Sequence, residues 1–166
     1  MKALLVIDMQ NICVGEKHDK FFKYNNSKLI ESVNEVIDNN KDNIVIYIRN
    51  LMKKNLINKF APFQAYEGME EVELVKGLNV VSEYVFDKYA GDAFTNDKLV
   101  DFLKAHSIDE IEVVGVDGGG CVSVTALGAI KMGYKVIVNT KAIGTTFHKK
   151  KDKYFKKLER LGADFV

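Results

Sequence analysis

The sequence predicts an α/β domain, a three-layer doubly wound fold with a mostly parallel sheet of about six strands. Short, unbroken apolar segments of the kind that form buried parallel strands recur along the 166-residue chain. Between them lie longer segments whose apolar residues repeat at helical spacing. Because the two kinds of segment alternate from end to end, helices are expected on both faces of the sheet, joined by right-handed crossovers.

Six segments are predicted to be strands. Ala3–Ile7 is a continuous apolar run that ends at Asp8, and Ile44–Ile48 is a second run of the same kind. Ile111–Val116 is a third, interrupted only by Glu112. The other three strands are assigned to Val80–Phe86, Lys135–Thr140 and the short segment Ala163–Val166.

The predicted helices follow apolar residues spaced three or four apart. In the first of them, Leu29, Val33 and Ile37 share one face, and Gly133 and Gly162 follow the ends of two later helices. The helices are assigned to Ser27–Asn39, Glu70–Lys76, Thr95–His106, Val122–Met132 and Lys149–Arg160.

Two segments lack a clear period. Met9–Asn25 is predicted to be a loop of mixed polarity. Leu51–Gly68 is the least regular part of the chain and contains its only proline, Pro62, among several aromatic residues. Since loops of this length in compact domains are often functional, two interpretations stay open for it. It is either a lid or subunit contact that brings aromatic groups to a pocket, or an ordinary packed surface loop.

Composition is that of an ordinary soluble globular protein, with 47% apolar and 28% charged residues. The length suits a single domain, residues 1–166, with a substantial core. A net charge of +1 predicts no nucleic-acid or membrane partner, and no apolar run approaches the ~20 residues of a membrane span. Two widely separated cysteines, and an N-terminal apolar run too short for a signal peptide, indicate a reducing, cytoplasmic setting.

The segment Gly115–Thr125 carries the main candidate for chemistry. Cys121 lies where a predicted buried strand gives way to a helix, directly after the run Gly118–Gly120. Unpaired N–H groups and partial positive charge at a helix N-terminus favour the thiolate, the nucleophilic form of cysteine. Position alone leaves two other interpretations open, an unreactive buried thiol and a glycine-rich phosphate cradle. The spacing does not fit Gly-x-Gly-x-x-Gly, because Ser123 stands where the last glycine is needed.

Two further polar residues lie near predicted strand C-termini, where parallel α/β sheets carry their reactive groups. Asp8 follows the first strand and Lys88 the third. A carboxylate beside the thiol of Cys121 can accept its proton and return it to a leaving amine, while an ammonium stabilises nearby negative charge. Taken singly, Asp8 also fits a cap or turn residue, and Lys88 a surface lysine. Their shared placement favours one joint site.

Three blocks of sequence then follow a known family pattern. Ala3–Asn11 is an apolar strand ending in Asp-x-Gln-Asn, Lys88–Phe94 matches Lys-x-x-x-Ser/Asp-Ala-Phe, and Gly115–Ala126 surrounds the cysteine. With these blocks, in order and over essentially its whole length, the chain resembles the isochorismatase-like cysteine hydrolases. That superfamily includes nicotinamidases, N-carbamoylsarcosine amidases and ureidoacrylate hydrolases, and the resemblance implies a Rossmann-like fold.

The resemblance also implies roles for the matched residues. Cys121 would be the nucleophile, Asp8 the general base and acid, and Lys88 the third member of a catalytic triad. The family's cis peptide would fall at Val116–Asp117, and the oxyanion hole would use the backbone N–H groups of Asp117 and Cys121. The implied reaction is attack on an amide or carbamoyl carbon, loss of ammonia or an amine, and hydrolysis of a thioester.

The sequence departs from the family pattern in ways that bear on the expected metal site and on the expected reaction. Nicotinamidases carry an Asp-x-His…His metal motif after the second strand, whereas residues 49–54 contain no histidine here. His18, His106 and His148 lie elsewhere without ligand spacing, so no metal and no cofactor is expected. Relatives that hydrolyse the vinyl ether of isochorismate lack the cysteine, so Cys121 argues against that reaction.

The substrate pocket is expected to involve Asn11, Cys13, Gly118, Gly119 and Gly120. Because the family often has threonine or serine before the cysteine, the glycine run is expected to empty one pocket wall. Cys13 stands where the family commonly has phenylalanine. It is interpreted as inert packing, with an oxidised pair with Cys121 as the alternative.

The sequence therefore predicts a metal-independent cysteine hydrolase that cleaves a C–N bond of a small amide, carbamoyl or ureido compound. A homo-oligomer, dimer or tetramer, is expected from the family alone. Two rivals remain: a catalytically degenerate protein of the same fold that binds a small molecule or a partner, and a flavodoxin-like nucleotide-binding protein with phosphate at Gly118–Gly120.

Overall fold

The computed structural model describes residues 1–56, 58–61 and 63–166, and its centre is a six-stranded sheet. The strands are β1 (Lys2–Ile7), β2 (Ile44–Asn50), β3 (Val85–Lys88), β4 (Glu110–Val116), β5 (Lys135–Gly144) and β6 (Asp164–Phe165). They lie in the order β3-β2-β1-β4-β5-β6, and every neighbouring pair is parallel. The predicted α/β fold class is confirmed.

Helices cover both faces of this sheet. They are α1 (Asn11–Val14), α2 (Asn26–Asn39), α3 (Asp97–Ala105), α4 (Cys121–Lys131) and α5 (His148–Arg160). Single 3₁₀ turns occupy Asn58–Phe60, Glu70–Val72 and Ala93–Thr95. None of the helices in the described part of the chain has the length and apolar character that a bilayer span requires.

The core has two halves because successive strand residues point to opposite faces. In β1, Leu4 and Val6 pack with α1 and α2, while Ala3, Leu5 and Ile7 pack with α3, α4 and α5. Since all five of these β1 side chains are fully buried, β1 is apolar throughout, as expected for a central strand covered on both sides. This explains why the strand is visible in the sequence as an unbroken apolar run.

The strand order places a topological switch between β1 and β4. The chain winds outward from β1 through β2 to β3, then returns to β4 on the other side of β1 and winds outward again. In open parallel sheets, ligands bind at the C-terminal ends of the strands beside such a switch. Asp8 directly follows the C-terminal end of β1 at this switch, and the segment between β4 and α4 begins at the same edge of the sheet.

Four predicted elements differ from the structure. The predicted loop Met9–Asn25 contains the one-turn helix α1, which is too short to give a periodic signal. The third strand is Val85–Lys88 rather than Val80–Phe86. Residues 80–84 still run beside β2, where the Ser82 hydroxyl donates to the Val45 carbonyl. Val80 and Val81 are exposed, so the apolar run there does not mark a buried strand.

The predicted helix Glu70–Lys76 is only a 3₁₀ turn, Glu70–Val72. It stops there because Leu74 forms an isolated antiparallel bridge with Gln10, which draws the backbone into an extended conformation. The fifth strand continues past Thr140 to Gly144, after an irregularity in its register with β4. The polar residues near Thr140 interrupt the apolar pattern, so the sequence does not predict this continuation. In the irregular segment 51–68, Pro62 lies outside the described residues.

Candidate active site

A buried ion pair joins the C-terminal ends of β1 and β3. Lys88 Nζ donates to Asp8 Oδ2 at 2.9 Å, and both side chains are almost fully buried. Asp8 directly follows β1, whereas Lys88 is the last residue of β3 and pairs in register with Asn50. Because β2 lies between these strands, the long lysine side chain crosses the end of β2 to reach the carboxylate.

Asp8 has two features that are unusual for a buried carboxylate. Its backbone is left-handed, with φ at 53°, a conformation that is uncommon outside glycine and is found at functional sites. Its second oxygen, Oδ1, is buried without a hydrogen-bond partner among the described residues. One oxygen is therefore held by Lys88, and the other remains available to accept a proton.

Cys121 completes the cluster as the first residue of α4. Its side chain is partly exposed, and its interactions with Asp8 and Lys88 contribute to the pKa values of both groups. Among the described residues no hydrogen bond of good geometry reaches Asp8 Oδ1, although the thiol and the carboxylate interact. Such contacts commonly tighten only when substrate is bound. The three residues that the sequence places at strand ends are thus brought together.

The electrostatics of the cluster favour a protonated thiol. The pKa of Cys121 is raised to about 12, first by burial and then by the Asp8 carboxylate, while Lys88 opposes the shift. Burial also raises the pKa of Asp8 above its usual value, against the lowering effect of Lys88. The position at a helix N-terminus favours the thiolate, but burial and the neighbouring carboxylate act in the opposite direction and raise the pKa.

The turn between β4 and α4 contains two unpartnered main-chain amides. Within residues 117–122, the amides of Gly118, Gly119, Gly120 and Val122 donate to protein acceptors. The amides of Asp117 and Cys121 have no acceptor among the described residues. They are the two groups that the family resemblance assigned to an oxyanion hole, and the Val116–Asp117 peptide is cis, as that resemblance also implied.

The glycine run is shaped by close packing as well as by the turn. A Cβ atom on Gly118 would lie 2.5 Å from Thr145 Oγ1, and one on Gly119 would lie 2.8 Å from Phe147 Cβ. Gly118 and Gly119 therefore face the segment between β5 and α5, rather than an emptied pocket wall. Gly120, in contrast, has space around it, with Asp117 Cβ 3.6 Å away.

The other expected pocket residues lie on α1. The side-chain amide of Asn11 donates to the Glu70 carbonyl at 2.9 Å, so this group is already engaged. Cys13 is a buried free thiol whose pKa is raised by burial first, and then by the charges of Asp8 and Cys121. Cys13 thus lies within the electrostatic range of the cluster.

Sequence reasoning missed the side chains that hold this edge together. Gln10 is fully buried and ties β1 to β2, accepting from the Asn50 amide and donating to the carbonyls of Asn50 and Val72. Tyr24 donates to the Asp117 carboxylate. These contacts join segments far apart in the chain, so no local sequence pattern predicts them. The one available signal was that Gln10 lies within the family-like Asp-x-Gln-Asn block.

The residues at the end of β2 do not fit a metal site. Arg49 pairs with both oxygens of Asp87, at 2.7 and 3.0 Å, and with Glu73 at 2.8 Å, so the nearby carboxylates are already neutralised. Among the described residues, no group of three or more potential His, Cys, Asp or Glu ligands is arranged for a metal ion.

Solved structures share this fold over nearly the whole chain. An isochorismatase-like hydrolase from Alkaliphilus metalliredigens matches with a TM-score of 0.86 at 23% identity, covering 99% of this chain and 94% of that one. The pyrazinamidase of Pyrococcus horikoshii, solved in complex with zinc, matches at 0.85 and 22%, covering 99% and 98%. N-carbamoylsarcosine amidase from Thermoplasma acidophilum matches at 0.81 and 23%, covering 99% and 94%.

Sequence comparison gives the family directly. No curated protein sequence matches the chain. The family model described as the isochorismatase domain matches residues 2–166, which is all but the first residue. The resemblance carried by the three sequence blocks is thereby confirmed, and the chain belongs to the isochorismatase domain family.

Proposed function

We propose that this protein is a metal-independent cysteine hydrolase that cleaves a C–N bond of a small amide, carbamoyl or ureido compound through a thioester. One observation carries the proposal. At the switch point of the sheet lie a partly exposed thiol, a buried carboxylate and two main-chain amides, and one carboxylate oxygen and both amides have no partner among the described residues. Family membership and the amidases among the structural neighbours agree with an amide hydrolase.

The first step is activation of the nucleophile. With a pKa of about 12, the Cys121 thiol holds its proton at neutral pH and needs a base. Asp8 supplies one, since its raised pKa makes it a stronger base than an ordinary carboxylate and its Oδ1 is free. Lys88 remains an ammonium, its pKa held up by Asp8 against burial, and fixes Asp8 Oδ2.

Attack then forms a bond between Cys121 Sγ and the carbonyl carbon while the thiol proton passes to Asp8. The carbonyl oxygen becomes an oxyanion and accepts hydrogen bonds from the free amides of Asp117 and Cys121. As the intermediate collapses, the C–N bond breaks and Asp8 returns its proton to the leaving nitrogen. Ammonia or an amine departs, and the acyl group remains on sulfur as a thioester.

Hydrolysis repeats the sequence with water as the nucleophile. Asp8 takes a proton from water, the resulting hydroxide attacks the thioester carbon, and the same two amides stabilise the second oxyanion. When the C–S bond breaks, the proton on Asp8 returns to Cys121. The product is a carboxylic or carbamic acid, and the site is restored.

The direct test combines turnover with detection of the acyl-enzyme. Ammonia release is measured with pyrazinamide, nicotinamide and N-carbamoylsarcosine, and p-nitrophenyl acetate serves as an activated acyl donor. We expect intact-protein mass spectrometry to show one added acetyl group in the native chain and in Cys13→Ala, but none in Cys121→Ala. Replacing the nucleophile should lower turnover by roughly 10⁴-fold or more without unfolding the protein.

Acylation that persists in Cys121→Ala would sink the mechanism. A folded native protein that is neither acylated nor active would instead favour the binding-protein alternative. Metal independence is tested separately, by incubating the active protein with a chelator and then adding zinc. Unchanged turnover is expected because Arg49 already neutralises the carboxylates at the end of β2.

A further inference from the structure

We propose that the side chain of Asp117 is a positioning residue, which holds the turn of residues 117–121 so that its two free amides face one oxyanion. This inference rests on the proposed function, but it concerns a side chain to which that mechanism gives no role. Only the main-chain amide of Asp117 acts in the mechanism above. The carboxylate touches no reacting atom and acts through the backbone.

The carboxylate of Asp117 is buried, at 7% exposure, and accepts three hydrogen bonds. Oδ1 accepts from the Gly119 amide at 2.6 Å. Oδ2 accepts from the Tyr24 hydroxyl at 3.0 Å and from the Thr146 amide. Both oxygens are therefore used, which distinguishes this carboxylate from that of Asp8.

The three donors come from three separate segments at the C-terminal edge of the sheet. Gly119 belongs to the turn itself, Tyr24 precedes α2, and Thr146 lies between β5 and α5. A simple turn in which an aspartate side chain caps a nearby amide would use Oδ1 alone and leave Oδ2 to solvent. Here Oδ2 instead accepts from Tyr24 and Thr146, which lie 93 and 29 residues away in the chain, and so links the turn to two other segments.

Main-chain contacts of the same residue complete the arrangement. The Asp117 carbonyl accepts from the amides of Gly120 and Val122, at 2.9 and 3.2 Å. With Gly119 bound by the carboxylate, three amides of the turn are directed at Asp117, and those of Asp117 and Cys121 are left over. Asp117 thus accepts three of the four hydrogen bonds that the amides of residues 118–120 and 122 donate, and the fourth runs from Gly118 to the Gly144 carbonyl at 2.9 Å.

The carboxylate is needed because the turn is rich in glycine. Gly118, Gly119 and Gly120 have wide backbone freedom, so the peptide planes between Asp117 and Cys121 can rotate unless they are held. Charge-assisted hydrogen bonds are stronger than neutral ones and suit this purpose. Loss of alignment at an oxyanion hole costs about 10²–10³-fold in rate.

The test compares two reactions of the same sulfur. Iodoacetamide alkylates the sulfur of Cys121, which attacks a saturated carbon; the C–S bond forms as the C–I bond breaks and iodide leaves, and no oxyanion develops. With p-nitrophenyl acetate, Cys121 attacks a carbonyl carbon, and an oxyanion forms before p-nitrophenolate leaves. Both rates are measured at one pH for the native chain, Asp117→Ala, Asp117→Asn and Tyr24→Phe. Asp101→Ala, an exposed aspartate on α3, is the matched control.

We expect Asp117→Ala to lower the acylation rate by about 10²-fold, with the alkylation rate within about threefold of native. Asp117→Asn keeps an oxygen for the Gly119 amide, so it should restore acylation to within about tenfold of native. Tyr24→Phe removes one of the three donors and should lie between Asp117→Asn and the native chain. Asp101→Ala should leave both rates at their native values.

The inference is overturned if the two rates fall together in Asp117→Ala and Asp117→Asn, since that pattern indicates general damage to the site. It is also overturned if neither rate changes. A native protein that is alkylated but never acylated would refute the proposed function instead. Amide hydrogen exchange of Gly119 and Gly120, measured by NMR, still tests the positioning in that case, because exchange must accelerate in Asp117→Ala.

Discussion

Two buried carboxylates, each paired with a lysine, lie at opposite ends of the central strands. At the C-terminal end, Asp8 pairs with Lys88 at 2.9 Å. Toward the N-terminal end, Glu112 on β4 pairs with Lys2 on β1 at 3.0 Å. The two pairs have the same chemistry and similar burial of the acid, so they differ mainly in how the remaining hydrogen-bonding capacity is used.

Glu112 is saturated, whereas Asp8 is not. Glu112 Oε1 accepts from Asn139 at 2.9 Å, and Oε2 accepts from Asn40 at 3.2 Å as well as from Lys2. Asp8 Oδ1 has no partner among the described residues and faces the region of the thiol. A saturated carboxylate holds strands and helices together, while one with a free oxygen can carry a proton.

Replacing the acid of each pair by its amide is expected to have the most different effects on turnover. Asp8→Asn removes the base and should lower kcat by about 10²–10⁴-fold, because an amide cannot accept the thiol proton. Glu112→Gln should keep turnover close to the native value, since its contacts are structural. Both variants are assayed for ammonia release on the same substrate. Equal losses at both ends would show that free hydrogen-bonding capacity does not identify the functional carboxylate.

The second difference is expected in stability. Lys88→Met leaves Asp8 buried without a cation and should lower the free energy of unfolding by about 3–5 kcal/mol. Lys2→Met should cost only about 1–2 kcal/mol, because Lys2 is partly hydrated and Glu112 keeps two amide donors. Urea denaturation measures both values. The double variant Asp8→Asn with Lys88→Met serves as the control and should regain much of the loss, since no unpaired charge remains.

The smallest effect, and the most specific, is on the pKa of Cys121. In the native protein, the alkylation rate should rise about tenfold per pH unit up to at least pH ~10, because only the thiolate reacts. Asp8→Asn removes a negative charge that raises this pKa, so its thiol should ionise at lower pH and alkylate faster. Asp8→Asn would thus have a higher alkylation rate than the native protein, although its turnover is lower.

Glu112→Gln provides the comparison for that titration and should reproduce the native curve. If Asp8→Asn leaves the curve unchanged, then the carboxylate is not coupled to the thiol. The rate is followed on a Cys13→Ser background, so that only one thiol is counted.

The fold and the three candidate residues of the site can be predicted from the sequence for a physical reason. A buried parallel strand must be apolar along its whole length, so the position where it ends is marked by the first polar residue. Asp8 is found in this way, and Cys121 is marked by the glycine run before a helix. Lys88 was placed after its strand, although it is the last residue within it.

The supporting contacts were not accessible because they depend on distance in space rather than along the chain. The Asp117 side chain meets Tyr24 and Thr146 only after β4 and β5 are aligned, and that alignment includes a register irregularity. Gly118 was interpreted as a pocket wall because the sequence cannot show that Thr145 packs against it. The upward shift of the Cys121 pKa is hidden from the sequence for a similar reason, since burial is a property of the folded chain.

The position of Lys88 on β3 has a consequence for how the molecule fails on heating. This strand has four residues and lies at the edge of the sheet, where β2 is its ladder neighbour among the described strands. Edges open locally at a lower free energy than the centre of a sheet. We therefore expect heat inactivation to begin by peeling of β3, which separates the ammonium from its carboxylate while β1 and β4 remain paired. The rate at which the site is lost on heating would then depend on how stably β3 is paired with the sheet, rather than on the stability of the apolar core.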